Sequence, residues 1–341
     1  MSNLNRVKVL QAIKVWENVN YDRFHSEIVP LNQPAVIRSL VSDWPSVEAA
    51  KQSPEAVANY LKPLEKNIAV PALVGTPDIK GRFFYSDDLQ DINFQRTQVT
   101  FSIGIERLLA IKETKNPHAI ALQAIQLNQV LPDYKASHHQ PLLDKAIEPT
   151  MWLGNRAMVA PHYDIHDNLA CVVAGRRQFT LFPPEQINNL YPGPTLNAPA
   201  GVPVSMVDIR DPDLKRYPKY KAALTAGFEA TLEPGDAVFI PALWWHGVES
   251  LEPFNILVNY WWGGNSDSNL SPNDSLLHSI MSIAKLDQKK RDAWQHFFNY
   301  YVFKTMDDPS QHLPPDLNDI VTDLSPEQTA TVRRFLANKL Q

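Results

Sequence analysis

The sequence is short of cysteine, glycine, net positive charge and long apolar runs. A single cysteine in 341 residues, Cys171, excludes an intrachain disulfide and any metal site built on thiolates alone. Glycine numbers 12 against 28 prolines, a balance that favours many fixed corners around apolar pockets. With 32 Lys and Arg against 37 Asp and Glu, the formal net charge is -5. No global positive field gathers phosphates, so a dedicated polyanion binder is disfavoured and only a local basic channel is left open. No apolar run approaches the roughly 18 residues of a spanning helix, and the residues after Met1 lack the continuous apolar core of a secretory signal. The expectation is a soluble, cytoplasmic protein with no membrane partner. What is present is a globular composition, 44% hydrophobic and 10% aromatic with eight Trp, enough for one large core or two modest ones.

Three regions follow from the patterning. Residues 1–115 read as an α/β flanking region. In it Pro34-Ala35-Val36-Ile37 is a short buried strand, Pro54 to Leu61 has helical spacing behind Ser53 as N-cap, and Ile103 to Ile111 is a second helix. Residues 116–264 open with the strand Ala119 to Leu122. From Met151 they become short β runs cut by Pro and Gly corners, including Leu169–Val173, Phe179–Phe182, Val238–Ile240 and Ile256–Trp262, as a small closed or double-sheet barrel requires. A Pro- and charge-rich insert, 191–228, interrupts them and reads as a lid or rim. Residues 265–341 are helical: Ser271-Pro272 opens one apolar surface, continued by Trp294, Phe297, Phe298 and Tyr301, and Ser325-Pro326-Glu327-Gln328 opens a last helix in capping-box form. These apolar groups either pack as core or form a homodimer contact.

The chemistry is concentrated in Pro161-His162-Tyr163-Asp164. Strand alternation puts His162 and Asp164 on one face and Tyr163 on the other. A third candidate, His246, lies 84 residues beyond His162, after the turn Glu233-Pro234-Gly235-Asp236 and the apolar run Ala237 to Ile240. Barrel closure would bring it to the first pair. Two His and one Asp on a metal leave open positions, the arrangement of non-haem Fe(II) oxygenases. The competing reading is that His-x-Asp is a chance occurrence and His246 a satisfied core residue beside Trp244 and Trp245. His166 and Asp167 are offset from the strand face and rank as substrate-facing or supporting groups rather than ligands.

Beyond these residues, the stretch from Met158 to Gly264 resembles the JmjC-like, cupin-type Fe(II)- and 2-oxoglutarate-dependent oxygenases, and among them the asparaginyl hydroxylase of hypoxia-inducible factor. The resemblance rests on Pro161-His162-Tyr163-Asp164, Leu181-Phe182-Pro183-Pro184-Glu185-Gln186, Leu190-Tyr191-Pro192, Pro234-Gly235-Asp236, Trp244-Trp245-His246 and Val258-Asn259-Tyr260-Trp261. It implies a fold that is mainly β with flanking helices, a double-stranded β-helix (a cupin/JmjC-like jelly roll), plus the C-terminal helical region. It further implies His162, Asp164 and His246 as iron ligands, and Arg177 in the place of a lysine that holds the far carboxylate of 2-oxoglutarate. Asn168 and Asn259 match asparagines near that cosubstrate, and Trp261 matches an aromatic wall. Since neighbours on a strand face opposite ways, Arg177 is read as inward and Arg176 as exposed.

Two positions depart from the pattern. Ala121 and Val159 stand where that hydroxylase has a tyrosine and a threonine, and neither donates a hydrogen bond. Tyr134 or Tyr163 entering the pocket would replace the lost donors. Trp244, Trp245, Trp261 and Trp262 are candidate walls. The function implied is hydroxylation of a protein or peptide side chain, with a small molecule less favoured and nucleic acid disfavoured. The basic-aromatic stretch Lys215 to Lys221 reads as a folded rim. The alternatives are a catalytically silent peptide-binding module, and a cupin-type metalloenzyme using Mn, Ni or Zn without a 2-oxo acid.

Overall fold

The computed structural model describes residues 10–263, 271–314, 317, 319, 321, 322 and 324–339. Residues 1–266 form one compact unit and 267–341 a second; the boundary drawn at 264 lies outside the described residues.

Fifteen strands build the first unit: β1 (Gln11–Ala12), β2 (Lys14–Trp16), β3 (Ala35–Ile37), β4 (Ala69–Gly75), β5 (Arg82–Phe83), β6 (Gln95–Thr100), β7 (Ala119–Gln126), β8 (Pro149–Gly154), β9 (Met158–His162), β10 (Asp167–Ala174), β11 (Arg177–Phe182), β12 (Phe228–Leu232), β13 (Ala237–Ile240), β14 (Trp245–Ser250) and β15 (Asn255–Trp262). They form two facing sheets. The smaller has the order β1-β12-β11-β14-β9-β5, the larger β2-β3-β13-β10-β15-β8-β7-β4-β6. The strands of residues 11–100 are thus laid onto the edges of the sheets that the later strands make.

Alternation along β10 shows how the layers are held. Ala170 and Val172 join Phe179, Leu181, Leu232, Val238 and Leu257 in the core between the sheets. Leu169, Cys171 and Val173 point the other way, into a second core under the helices. Both faces are buried, so β10 and β13 are nearly continuous apolar runs rather than alternating ones. The covering helices are α1 (Pro45–Gln52), α2 (Pro54–Leu61) and α3 (Phe101–Ile111). Ser53 Oγ accepts from Ala56 N at 3.0 Å and Pro54 takes the first turn of α2, where the missing N–H costs nothing. Buried Val57, Ala58 and Leu61 form its inner face.

Two turns set the register of the barrel. Gly175 (φ 70°) joins β10 to β11, and a Cβ there would lie 2.7 Å from the Phe254 carbonyl and closer still to the Asn255 side chain. Asp236 closes the other: its carboxylate accepts from Arg38 Nη1 (2.5 Å), Ser39 N (3.0 Å) and Glu233 N (3.0 Å), tying the turn before β13 to the end of β3.

The 191–228 insert is irregular apart from α4 (Tyr220–Ala226) and packs through Val207, Tyr217, Tyr220 and Ala223 against Phe182 and Trp245. Within it Asp213 Oδ1 accepts from the backbone N–H groups of Lys215 and Arg216, and Tyr217 packs on Tyr191 at 5.0 Å. The Lys215–Lys221 stretch is therefore a folded rim.

The second unit contains α5 (Pro272–Ser282), α6 (Gln288–Tyr301) and α7 (Pro326–Lys339). The capping box of α7 is reciprocal: Gln328 N donates to Ser325 Oγ (3.3 Å) and Ser325 N to Gln328 Oε1 (2.9 Å). None of the three helices has a buried residue, and Met281, Phe297, Tyr301, Val302 and Phe335 are exposed. Among the described residues no helix is long and apolar enough to cross a membrane.

Candidate metal centre

β9 and β14 are antiparallel neighbours, and His162 stands directly opposite His246. Their rings lie 4.3 Å apart between centroids. Asp164 follows the end of β9 and turns back, with Oδ2 3.6 Å from His246 Nε2. One ligand atom from each of the three residues falls within 4.8 Å of the others, a spread that one divalent ion can bridge; His166 and Asp167 are not part of this group. Asp167 acts instead as a strap. Its Oδ1 accepts from Ala242 N (2.9 Å), and Leu243 N, at a left-handed residue (φ 65°), donates to the Asp164 carbonyl (2.8 Å). These two bonds hold the segment before β14 against the Asp164 loop and so set the height of His246.

The second ring nitrogen of each histidine decides what the first can do. His162 Nδ1 lies 3.1 Å from the Ala160 carbonyl and His246 Nδ1 3.0 Å from the Trp244 carbonyl. A carbonyl only accepts, so each Nδ1 is the donor, which makes Nε2 the nitrogen that each ring can offer to a metal. Burial, then the neighbouring His246 ring, push the His162 imidazole down to about 4, keeping it neutral and available. Burial opposes the charge on Asp164, but His246 and His162, with hydrogen bonds from Trp261 Nε1 (3.1 Å) and Asn168 Nδ2 (3.3 Å), bring its carboxyl below the ordinary value.

That carboxylate is the end of a relay. Trp152 Nε1 donates to Asn259 Oδ1 (2.8 Å), Asn259 Nδ2 to Asn168 Oδ1 (3.3 Å), and Asn168 Nδ2 to Asp164. Asn168 and Asn259 are buried strand residues bonded to each other across β10 and β15, not turn residues.

The triad opens into a cavity of about 440 Å³ between the sheets, whose walls include Asn168, Asn259, Trp261 and Arg177. Arg177 starts β11 and is 7% exposed. Among the described residues its guanidinium has no hydrogen bond or ion pair, and its Nε is buried without a partner. Burial alone pushes it down to about 10, so it remains a cation with no counter-charge. Arg176, on the opposite face, pairs with Glu252 at 2.7 Å.

Several expectations are corrected by these positions. Tyr134 does not reach the cavity: it is fully buried beneath α1, stacked on His138 at 3.6 Å and bonded to Ser46. Tyr163 packs on Trp245 at 5.0 Å, outside the cavity. Of the four tryptophans expected as walls only Trp261 lines it; Trp244, Trp245 and Trp262 each belong to a different apolar cluster. Trp152 is the second tryptophan in the wall. Val159 lines the cavity, whereas Ala121 packs beside Phe83 and Phe94.

The polar groups that sequence reading missed are Arg96 and Thr97 on β6 and Gln123 on β7. Gln123 sits at a bulge, where the pairing of β7 with β8 slips between Leu122 and Ile125 and Ala124 takes φ 49°. A bulge turns a side chain out of the regular alternation. The one signal for it was a glutamine interrupting an apolar strand; β6 carries no apolar period at all.

Comparison with known proteins agrees with this architecture. The family model described as "cupin-like domain" matches residues 21–268. The chain belongs to the JmjC-like cupin family. It is 29% identical over 291 residues to lysine-specific demethylase JMJ31 of Arabidopsis thaliana, covering 76% of this chain and 51% of the relative. It is 27% identical over 267 residues to JmjC domain-containing protein D of Dictyostelium discoideum, covering 73% and 55%. HSPB1-associated protein 1 of Homo sapiens is 38% identical over 116 residues, 33% of this chain and 23% of the relative. The chain thus spans about half the length of the first two relatives, and less of the third.

Proposed function

We propose that this protein is an Fe(II)- and 2-oxoglutarate-dependent oxygenase that hydroxylates a C–H bond on a protein or peptide side chain. The observation that carries the reading is the pairing of a two-histidine, one-carboxylate cluster with a buried, partnerless arginine in the same cavity. The donor set fits the metal: two imidazoles whose Nδ1 atoms face backbone carbonyls, so that Nε2 is the ligating atom, and one carboxylate leave open positions on Fe(II). His162, Asp164 and His246 would hold the ion, and Arg177 the far carboxylate of the oxo acid through a two-pronged charge-assisted contact. Bound there, iron and 2-oxoglutarate supply dioxygen activation coupled to decarboxylation of the oxo acid, one oxygen atom passing to the substrate carbon and the other to succinate.

The chain's own residues do the positioning. The Trp152–Asn259–Asn168 relay and Trp261 fix Asp164. Ile240, Val248 and Leu257 keep the wall beside the triad apolar and exclude water. Thr97 and Gln123 stand in the cavity as donors, which offsets the side-chain donors that Ala121 and Val159 lack.

The test is anaerobic loading with Fe(II), then succinate formation from 2-oxoglutarate. His162→Ala is expected to lose metal binding and to lower succinate production at least 100-fold. A folded, metal-loaded chain that makes no succinate with any peptide would instead support the silent binding module. Relatives named lysine-specific demethylase make an N-methyl group the second candidate carbon, and formaldehyde release distinguishes it. We also infer that the exposed apolar side chains of α5, α6 and α7 make the chain a homodimer; a monomeric mass in sedimentation would refute this.

A further inference from the structure

The cavity does not end at the triad. Its wall also includes Arg96 and Thr97, and they belong to the last strand of the nine-stranded sheet. β6 pairs with β4 from Gln95 opposite Val74 to Thr100 opposite Ala69, and with nothing on its other side among the described residues. In an antiparallel pair alternate residues turn their N–H and C=O groups away from the partner, so this six-residue strand presents about three donors and three acceptors outward. No other backbone hydrogen bond of the described residues takes them up.

Edges of this kind are normally blunted by proline, lysine, a bulge or a covering element. Gln95-Arg96-Thr97-Gln98-Val99-Thr100 has no proline or lysine, its register with β4 is unbroken, and residues 95–98 are exposed. Its only charge is Arg96, which has no ion pair among the described residues and lies 5.9 Å from the Phe94 ring. The formally charged side chains in the cavity wall are Arg96, Arg177 and Asp164. On the oxygenase reading a divalent cation and a dianionic oxo acid join them, and one positive charge is left over, with Arg96 the exposed one of the two arginines.

We propose that β6 is a docking strand: an extended acidic segment of the protein substrate adds to its outer edge as a tenth strand, with a carboxylate on Arg96. The identity of that partner as a substrate rests on the function proposed above; the docking strand itself does not. Strand spacing gives the reach. From β15, which carries Asn259 and Trp261, the sheet runs through β8, β7 and β4 to β6, so a strand added beyond β6 lies ~24 Å from β15 at ~4.8 Å per strand. An extended chain covers that in about seven residues at ~3.3 Å each, over a path lined by Leu73, Thr97, Gln123 and Trp152. The segment that docks is therefore about seven residues from the residue that reacts.

The experiment uses the full chain without added iron. The probes are a blocked decapeptide of alternating threonine and glutamate, its lysine counterpart, and the glutamate peptide N-methylated at alternate positions. The glutamate peptide is expected to slow amide hydrogen exchange in 95–100 at least 10-fold, and not in the edge strand β5. Arg96→Glu, a change at an exposed position, is expected to weaken it at least 10-fold and to reverse the preference toward the lysine peptide. The N-methylated peptide, unable to complete the ladder, is expected not to bind. The proposal is overturned if the outward amides of β6 are already protected in the free chain, if Arg96→Glu leaves binding unchanged, or if the N-methylated peptide binds equally well. Succinate formation is read separately on the Fe(II)-loaded chain supplied with 2-oxoglutarate: a chain that binds the peptide and, so loaded, makes no succinate with any peptide overturns the oxygenase reading alone; one that makes succinate with no protection of β6 overturns the docking strand alone.

Discussion

Replacing Arg177 by methionine separates the cost of burying a charge from the use made of it. The guanidinium is pushed down from its ordinary value to about 10 by burial, which disfavours the cation by ~3 kcal/mol relative to water. No carboxylate offsets this, and Nε is left without a partner. Methionine keeps most of the aliphatic stem and removes the charge. The metal-free, ligand-free variant should therefore be more stable than the parent by about 1–3 kcal/mol, a rise in Tm of about 1.5–4 °C for a chain of this size. The same change removes two charge-assisted hydrogen bonds to the oxo acid, each about 1.5–3 kcal/mol, so 2-oxoglutarate affinity should fall at least 100-fold. Thermal denaturation of the apo chain and anaerobic titration with Mn(II) and 2-oxoglutarate measure the two effects. Arg177→Lys, which keeps the charge and loses the fork, should fall between. A methionine variant that melts below the parent, or that binds the oxo acid as tightly, would refute the assignment of Arg177 as a cation held ready for an anion.

Three further outcomes follow from particular contacts. Asn259→Ala cuts the relay between Trp152 and Asp164 and should weaken Mn(II) binding about 10- to 100-fold, read by titration, with little change in fold by circular dichroism. Asp236→Ala leaves Arg38 and the Ser39 and Glu233 amides without their acceptor and should cost about 3 kcal/mol in urea unfolding, because the partners of a buried carboxylate stay behind. His138 is buried and held neutral, pushed from 6.5 down to about 4 chiefly by burial; Tyr134 O takes its Nδ1 proton at 2.7 Å and Ser46 bonds its Nε2. Below pH 6.5 the unfolded chain binds a proton that the folded chain refuses, so stability should fall by about 2–3 kcal/mol between pH 6.5 and 4 and level off below. The difference in urea midpoint between the parent and His138→Gln across that range isolates this group.

Local pattern carried much of the architecture. Ser53-Pro54 and Ser325-Pro326-Glu327-Gln328 specify helix starts within four residues of chain, and both caps are made as their hydrogen bonds require. The apolar runs at 169–173, 179–182, 238–240 and 256–262 are strands, because a run buried on both faces has no helical period to compete with. Tertiary structure overrode pattern where partners come from afar. Trp245 and Trp262 are each next to a cavity residue, His246 and Trp261, and face the cores because successive residues on a strand change face; Trp244, which precedes β14, is drawn into the core between the sheets, with its Nε1 donating to the Asn32 carbonyl 212 residues away. Tyr134 is taken by Ser46 and His138, contacts with no local signature.

The amino-acid order by itself determined that Arg177 and Arg176 oppose each other, which follows from the two-residue period of a strand; Asp164 lies beyond the end of β9 and meets His246 through the turn after the strand, not through alternation. Only the folded chain decided that His246 faces His162, that Asp167 straps the loop which sets its height, and that Arg96, Thr97 and Gln123 belong to the same cavity. Those depend on the pairing of β14 with β9 and on the order of nine strands in one sheet, and strand order is set by which apolar faces close the core together, a property of the whole chain that no short window contains.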